Sequence, residues 1–180
     1  MQTRKKAATA LRALGTAVAA LALVGGVQAP SASAQDLGGL AYKNLNSGRY
    51  LEVGGWSTAN GALVNQWDYH GGSNQGWAST GSWVNGRWWG IEKNANSGKC
   101  LEVADWSTAN GATVRQWDCH GGANQMWDEH YIDDDVFYLI NKHSGKCLEI
   151  SGWSTVNGAR AQQWDCTGGT NQMWTARARG

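Results

Sequence analysis

Three glutamates recur at the same place in a repeated pattern, and a tryptophan follows each of them after 15 residues. The pairs are Glu52 with Trp67, Glu102 with Trp117, and Glu149 with Trp164. A carboxylate accepts charge-assisted hydrogen bonds, and an indole offers a large, rigid apolar face. Such a pair suits a neutral ligand that carries both hydroxyl groups and a patch of C–H surface.

These pairs lie in three near copies of one segment, which cover residues 51–77, 101–127 and 148–174. Equivalent positions are separated by 50 and then by 47 residues, and no copy needs an insertion. A fixed period of this size indicates that each copy is one supersecondary unit, which buries its apolar side only against its neighbours.

Each unit is predicted to consist of short strands between turns, because glycine is abundant and no helical apolar period is sustained. In the second copy, the alternation of residues 100–103 indicates a strand. Residues 108–111 are predicted to form a turn, and residues 114–119 the return strand.

A strand register follows if Cys100 lies opposite Cys119. Glu102 then lies opposite Trp117, with β-carbons about 5 Å apart. The same register in the other two copies pairs Glu52 with Trp67 and Glu149 with Trp164. Each unit would therefore present a carboxylate beside an indole.

The cysteines occur only in the second and third copies, at Cys100, Cys119, Cys147 and Cys166. The first copy carries Tyr50 and Tyr69 at the equivalent positions. Because both members of the pair are replaced together, we predict that the two positions touch and that disulfides join Cys100 to Cys119 and Cys147 to Cys166. A metal site is the alternative, but no Cys-x-x-Cys spacing supports it.

Residues 1–34 have the features of a secretory signal peptide. Four basic residues precede an Ala/Leu/Val-rich run, and small residues end the segment. We therefore predict export, with cleavage before Gln35. A membrane anchor is the alternative, but the uncharged run at residues 13–27 is shorter than the roughly 20 residues that a spanning helix needs.

Removal of this segment leaves 146 residues, enough for one domain with its own core. The remainder has 11 basic and 14 acidic residues, which excludes the basic footprint of a nucleic-acid-binding protein. It also contains all 12 tryptophans. A surface that is polar, aromatic and sparsely charged suits neutral ligands.

Two hairpin turns are predicted between the copies. Asn85 and Gly86 suit a type I′ turn. Three adjacent aspartates, Asp133, Asp134 and Asp135, mark the second turn. They could also hold calcium, but they lack the spacing of an EF-hand loop, and aspartate is common in solvated turns.

Three units of short strands need a closed arrangement to avoid exposed sheet edges, and a propeller usually needs at least about four blades. The order Gly-Lys-Cys-Leu-Glu-Val, Gln-Trp-Asp-Cys and Asn-Gln-Met-Trp, with three Gln-x-Trp motifs, resembles the ricin B-type lectin family over nearly all of residues 35–180. The resemblance implies an all-β fold, a β-trefoil of three pseudo-symmetric repeats with about four strands each. The approximate repeats are residues 41–88, 89–137 and 138–180.

The resemblance also implies carbohydrate-binding roles, here assigned by number in this sequence. The acid that grips hydroxyl groups falls on Glu52, Glu102 and Glu149, and the stacking aromatic falls on Trp67, Trp117 and Trp164. The amide donor falls on Asn74, Asn124 and Asn171, and the residues expected to brace the acid are Gln75, Gln125 and Gln172. The position of a further ligand contact holds His70, His120 and, in the third copy, Thr167.

Two further sets of tryptophans recur. The family pattern places the tryptophans of Gln-x-Trp in the core, and these are Trp77, Trp127 and Trp174. Those beside the Trp-Ser-Thr turn are either a packing lid or a second sugar contact, and they are Trp56, Trp106 and Trp153.

One departure from the family pattern affects specificity. The family's usual acid is aspartate, whereas all three copies have glutamate, so a galactose preference does not transfer. Asp105, found only in the second copy, is a candidate to compensate there. Because the second copy alone combines a disulfide, Asp105 and His120, we rank its site first.

The sequence therefore predicts a secreted, monomeric lectin that binds galactosyl, xylan-type or other neutral glycans through up to three weak, equivalent sites. No cofactor, metal, nucleic acid, membrane insertion or catalytic activity is expected. The alternative is a trefoil that inhibits proteases or binds proteins without sugar activity. A glycosidase is disfavoured because it needs two carboxylates at a set separation, and each copy has one recurring glutamate.

Overall fold

The computed structural model describes residues 39–179, so the predicted signal peptide lies outside the described residues. Twelve short strands are found in this part of the chain: β1 (Leu40–Asn44), β2 (Tyr50–Val53), β3 (Val64–Trp67), β4 (Trp77–Val84), β5 (Arg87–Asn94), β6 (Cys100–Val103), β7 (Val114–Trp117), β8 (Met126–Tyr131), β9 (Val136–Asn141), β10 (Cys147–Ile150), β11 (Ala161–Trp164) and β12 (Trp174–Ala178). Short 3-10 turns lie between them at Gly54–Trp56, Ser73–Gln75, Ala104–Trp106, Ala123–Gln125, Ser151–Trp153 and Thr170–Gln172. No helix within these residues is long and apolar enough to cross a membrane.

Six strands close a barrel through antiparallel pairs in the order β1, β4, β5, β8, β9 and β12, with β12 returning to β1. The other six form three hairpins, β2–β3, β6–β7 and β10–β11, and each hairpin pairs with one barrel strand. Closure removes the exposed edges that open sheets present. The architecture is the predicted all-β trefoil of twelve strands.

The centre of the molecule is filled by the tryptophans of the three Gln-x-Trp motifs. Trp77, Trp127 and Trp174 are each 0% exposed. Each buried indole N–H donates to a leucine main-chain oxygen of its own repeat, at 3.1, 3.0 and 3.2 Å. The hydrogen bond removes the cost of burying the N–H group, and the prediction that these residues belong to the core is confirmed.

The predicted register of the hairpins is wrong by two residues. Cys100 lies opposite Trp117, and Glu102 lies opposite Arg115. Strand β7 ends at Trp117, so Cys119 lies beyond the paired segment. In the other hairpins the partners of the glutamates are Asn65 for Glu52 and Gln162 for Glu149. A shift of two keeps every side chain on its predicted face, so glutamate and tryptophan remain diagonal neighbours.

Both predicted disulfides are present, and each spans a Cα–Cα distance of 5.2 Å. In the first repeat the rings of Tyr50 and Tyr69 pack at the same place, with centroids 4.7 Å apart. The inference that these two positions touch is therefore confirmed in all three repeats.

The two predicted turns connect barrel strands. Asn85 and Gly86 join β4 to β5 with φ angles of 51° and 76°, as a type I′ turn requires. Asp133, Asp134 and Asp135 lie in the connection between β8 and β9. Across the described part of the chain, no group of His, Cys, Asp or Glu side chains has an arrangement that could hold a metal ion.

Neighbouring repeats are joined by an asparagine–aspartate contact that sequence reasoning missed. The asparagine of the Ser-Thr-x-Asn-Gly turn donates to the aspartate of Gln-Trp-Asp in the next repeat, in the pairs Asn60 with Asp118 at 2.6 Å, Asn110 with Asp165 at 2.7 Å, and Asn157 with Asp68 at 2.8 Å. The third pair joins the last repeat to the first. Hydrogen bonds from lysine and then asparagine lower the pKa of Asp118 and of Asp165.

Candidate functional site

The three recurring glutamates lie in β2, β6 and β10, whose residues are buried throughout because each hairpin packs on the core. Glu52, Glu102 and Glu149 are 4%, 2% and 6% exposed. A carboxylate at this depth must be hydrogen-bonded to remain stable in the fold. Its surroundings therefore determine what it can offer to a ligand.

One oxygen of each carboxylate is held by the 3-10 turn that precedes the core tryptophan. In the second repeat, Oε2 of Glu102 accepts from Nε2 of Gln125 at 3.0 Å and from Nδ2 of Asn124 at 3.5 Å. The turn places these two amides side by side beneath the strand. The other repeats repeat this pattern with Asn74 and Gln75 on Glu52, and Asn171 and Gln172 on Glu149.

The glutamine also fixes the loop that borders the site. Nε2 of Gln125 donates to the main-chain oxygen of Asp118 at 2.9 Å, and Oε1 accepts from the main-chain N–H of His120 at 2.9 Å. Gln75 and Gln172 make the same contacts in their repeats. The glutamine thus braces the acid, as the resemblance implied.

The three asparagines do not face solvent as amide donors. Asn74, Asn124 and Asn171 are 1%, 1% and 2% exposed. In the second repeat, Nδ2 of Asn124 also donates to the main-chain oxygen of Val103 at 3.1 Å. The contacts of these residues therefore position the glutamate, and their assignment as direct ligand contacts stays a prediction.

The tryptophan that closes each hairpin lies at the surface on the glutamate's face of the strand pair. Trp67 and Trp164 are 41% and 39% exposed, whereas Trp117 is half-buried. A partly exposed indole beside a fixed carboxylate can pack against the C–H face of a ligand while the acid accepts from its hydroxyl groups.

A second tryptophan borders the same surface and has an unusual backbone. Trp56, Trp106 and Trp153 are 51%, 49% and 53% exposed, and their φ angles are 55°, 54° and 55°. A bulky residue in the left-handed region is strained, and such strain concentrates at functional sites. Of the two roles left open by the sequence, a wall of the ligand site fits this exposure better than a packing lid.

Open cavities lie at the first and third sites. In the first repeat a cavity of about 300 Å³ is lined by Glu52, Gly55, Trp56, Trp67 and His70. In the third repeat a cavity of about 280 Å³ is lined by Glu149, Gly152, Trp153, Gln162, Trp164 and Thr167. Each cavity combines one carboxylate with two tryptophans. The histidine position therefore borders the first cavity and the corresponding threonine borders the third.

The histidines also contact the acid and the second tryptophan. Nε2 of His70 lies 3.1 Å from Oε2 of Glu52, and its ring centroid lies 5.7 Å from that of Trp56. In the second repeat, His120 lies 3.3 Å from Glu102 and stacks on Trp106 at 6.2 Å. The histidine thus links the acid to the second tryptophan.

The residue opposite each glutamate differs among the repeats, and sequence reasoning missed its importance. In the third repeat, Nε2 of Gln162 donates to Oε1 of Glu149 at 2.8 Å. In the second, Nε of Arg115 donates to Oε1 of Glu102 at 2.9 Å. In the first, Asn65 is the partner, and among the described residues no donor lies within hydrogen-bonding distance of Oε1 of Glu52.

The ranking of the second site as the best one is not supported by this geometry. Arg115 covers the ring of Trp117, with its guanidinium carbon 4.3 Å from the ring centroid. Asp105 accepts from this same arginine at 3.1 Å, so the contact that the structure gives it is to Arg115, and its role as a second hydroxyl-gripping acid stays a prediction. The three sites are therefore not equivalent, because an arginine holds Oε1 of the acid in the second site and a neutral glutamine amide holds it in the third.

Comparisons with known proteins agree with this fold. A sequence model of the ricin-type beta-trefoil lectin domain matches residues 40–174. The chain therefore belongs to the ricin-type β-trefoil lectin family. A search of curated protein sequences finds no significant match.

Several solved structures share the fold of this chain. The designed threefold-symmetric protein ThreeFoil is 37% identical, with a TM-score of 0.73 over 77% of this chain and 97% of that chain. An exo-beta-1,3-galactanase from Clostridium thermocellum is 33% identical, also at a TM-score of 0.73, and the match covers 77% of this chain and 30% of the galactanase. A ricin B-like lectin from Macrolepiota procera, solved with lactose, shares the fold at 21% identity, with a TM-score of 0.63 over 77% and 94% of the two chains.

Proposed function

We propose that this protein is a lectin that binds neutral glycans at the cavities of its first and third repeats. One observation carries the proposal: each cavity combines a fixed carboxylate with two exposed indoles. The indoles pack against the C–H face of a sugar ring, and the carboxylate accepts hydrogen bonds from its hydroxyl groups. Because the acid is already held by neighbouring amides, little ordering is needed when a sugar binds.

Binding to more than one site would raise the affinity for branched or repetitive glycans. Each cavity is small and open, so a single sugar contact is expected to be weak. When two cavities engage one polysaccharide, the second contact becomes intramolecular and the effective concentration rises without any new interaction.

We propose binding without hydrolysis. A glycosidase places two carboxyl groups on either side of the scissile bond, about 5–10 Å apart. The residues that line each cavity include one carboxylate, which is Glu52 in the first and Glu149 in the third.

Export is part of the proposal. The basic and apolar pattern of residues 1–34 supports a cleaved signal peptide. The two disulfides support it independently, because such bonds persist in oxidising compartments. Detection of the protein in the medium with an N-terminus at Gln35 is the expected result, and retention with residues 1–34 intact would contradict export.

A glycan array tests the binding proposal. The purified protein is applied to immobilised galactosides, xylo-oligosaccharides and uronate-containing glycans, with a set of proteases on the same surface. Binding to neutral glycans is expected. Binding to a protease with no glycan bound would instead favour the protein-binding alternative.

A further inference from the structure

The second repeat differs from the other two at two positions that face one another across its hairpin. Arg115 stands where the others have Asn65 and Gln162, and Asp105 stands where the others have glycine. Nη2 of Arg115 donates to Oδ1 of Asp105 at 3.1 Å. The two differences are therefore one structural unit.

The arginine is fixed on three sides. Its Nε donates to Oε1 of Glu102 at 2.9 Å, its Nη2 donates to Asp105, and its guanidinium carbon lies 4.3 Å above the ring of Trp117. The Arg115 side chain is 19% exposed, while that of Asp105 is 82% exposed. The guanidinium group is thus held against the acid and the indole by both charge and stacking.

This arrangement occupies the groups that a sugar would use. Oε1 of Glu102 accepts from the charged guanidinium group, and its Oε2 is held by two neighbouring amides. In the third repeat Oε1 of Glu149 is held by the neutral amide of Gln162, so the second site is distinguished by the charge of its partner and by the cover over its indole. The ring face of Trp117 packs against the same guanidinium group instead of solvent. A sugar must displace both contacts before it reaches the acid and the indole.

The backbone conformation at Asp105 also differs in its cost from that of the other two repeats. Asp105 has a φ of 55°, in the left-handed region where the equivalent Gly55 and Gly152 have φ angles of 60° and 62°. A non-glycine residue there is disfavoured, although aspartate tolerates it better than most. The ion pair with Arg115 offsets part of this cost.

We propose that Arg115 closes the second site, so that the protein binds neutral sugars through the first and third repeats only. This inference rests on the proposed lectin function. Arg115 is then a specificity-determining residue that sets the number of binding sites, and Asp105 holds it in place.

Indole N–H signals in NMR spectra test the inference site by site. The signals of Trp67, Trp117 and Trp164 are assigned with single Phe variants and followed while lactose or xylotriose is added. The sugar that shifts the Trp67 signal is then compared at both sites. The Trp117 signal is expected to shift only at a sugar concentration at least about tenfold higher, because the cation–π and ionic contacts of Arg115 must first break.

The variant Asp105→Gly with Arg115→Asn gives the second repeat the residues of the first. Its Trp117 signal is expected to respond at a sugar concentration within about threefold of that for Trp67. Arg115→Gln, which introduces the third repeat's residue, is a second route to the same result. Arg160→Thr is the matched control, since it removes an exposed arginine from the third repeat and leaves the Trp117 response unchanged.

The outcomes separate this inference from the lectin proposal. Equal responses of Trp67 and Trp117 in the unmodified protein would overturn closure by Arg115 and leave the lectin proposal intact. An unchanged Trp117 response in both opened variants would also overturn it. Silence of all three signals with both probes would contradict both proposals, and the buried Trp77, Trp127 and Trp174 report in the same spectra that each variant is folded.

Discussion

Glu52 and Trp67 lie on one face of hairpin β2–β3, one register step apart: Trp67 is opposite Tyr50, and Glu52 is opposite Asn65. The acid is 4% exposed and the indole 41% exposed, and both line one cavity, with the acid deeper than the indole. This diagonal relationship leaves space between them, whereas the directly opposed pair predicted from the sequence would have placed the two side chains in contact.

The strained tryptophan that borders each site is expected to lower the stability of the fold and to raise the affinity for sugar. Trp153→Gly and Trp153→Ala both remove the indole that lines the third cavity, so both are expected to lower sugar affinity there by about tenfold. Glycine alone relieves the positive φ of 55°, so it should be more stable than the alanine variant by about 1 kcal/mol. Calorimetric titration and urea unfolding measure the two effects, and equal stabilities of the two variants would contradict the strain.

The asparagine–aspartate contacts should stabilise the closed ring of repeats. Asn157 donates to Asp68 at 2.8 Å and accepts from its main-chain N–H at 2.9 Å, which ties the last repeat to the first. Asn157→Ala is expected to lower the free energy of unfolding by about 1–2 kcal/mol. Asn60→Ala and Asn110→Ala remove the equivalent contacts and should cost similar amounts in urea unfolding. A loss confined to one of the three would show that the contacts are not equivalent.

Each disulfide should stabilise the fold. The Cys147–Cys166 bond spans 19 residues along the chain. Its replacement by two alanines is expected to lower the free energy of unfolding by about 3 kcal/mol, chiefly because the unfolded chain gains freedom. Urea unfolding of this variant and of the equivalent Cys100/Cys119 variant measures the loss. Under reducing conditions the unmodified protein also lacks the bond, so the difference in the free energy of unfolding between it and the variant should disappear. A difference that persists would contradict the disulfide as its source.

A buried acid in the barrel should make stability depend on pH. Glu92 is 0% exposed, Tyr42 donates to it at 2.6 Å and Ser79 at 2.7 Å. Burial, and then the charge of Glu129, raise the pKa of Glu92 from 4.5 to about 7. The folded state therefore binds a proton more tightly than the unfolded chain does. Its stability contribution is fully present below the unfolded pKa and is lost as pH rises towards the folded one.

Glu92→Gln isolates this effect. The amide stays neutral, so the variant should lose the part of the pH dependence that comes from Glu92, which is roughly 3 kcal/mol between about pH 4.5 and pH 7. Urea unfolding at about pH 5 and about pH 8 gives the difference for each protein. Parallel pH dependence in the variant and the unmodified protein would contradict a neutral Glu92 in the fold.

Much of the fold could be predicted from the sequence because its motifs occur three times in the chain. The period of 50 and 47 residues predicts three equivalent units, and the paired cysteines predict the two disulfides. The trefoil itself was implied by the resemblance of the repeated motifs to the ricin B-type lectin family. The register was wrong because Cys119 was assumed to lie within the strand, whereas β7 ends at Trp117. A disulfide requires only that two cysteines come close, and this is compatible with more than one register.

The features that the sequence did not predict depend on residues that are far apart in the chain or that differ among the three copies. Asn157 and Asp68 are 89 residues apart, and no local pattern reports such a contact. Arg115 did give a signal, because it shares a strand face with Trp117 and is the one basic residue at its position among the copies. The residues that the copies share define the fold, whereas the state of each site depends on the positions at which the copies differ.

The most direct test of the central claim is calorimetric titration of the glycan bound most strongly on the array, with the unmodified protein and with Trp67→Ala combined with Trp164→Ala. Trp83→Ala is the matched control, because this indole is 71% exposed on β4, outside both cavities. The double variant is expected to lose detectable binding while it unfolds at nearly the same urea concentration, and the control is expected to bind normally. Undiminished affinity in the folded double variant would contradict the claim that these two cavities bind sugar.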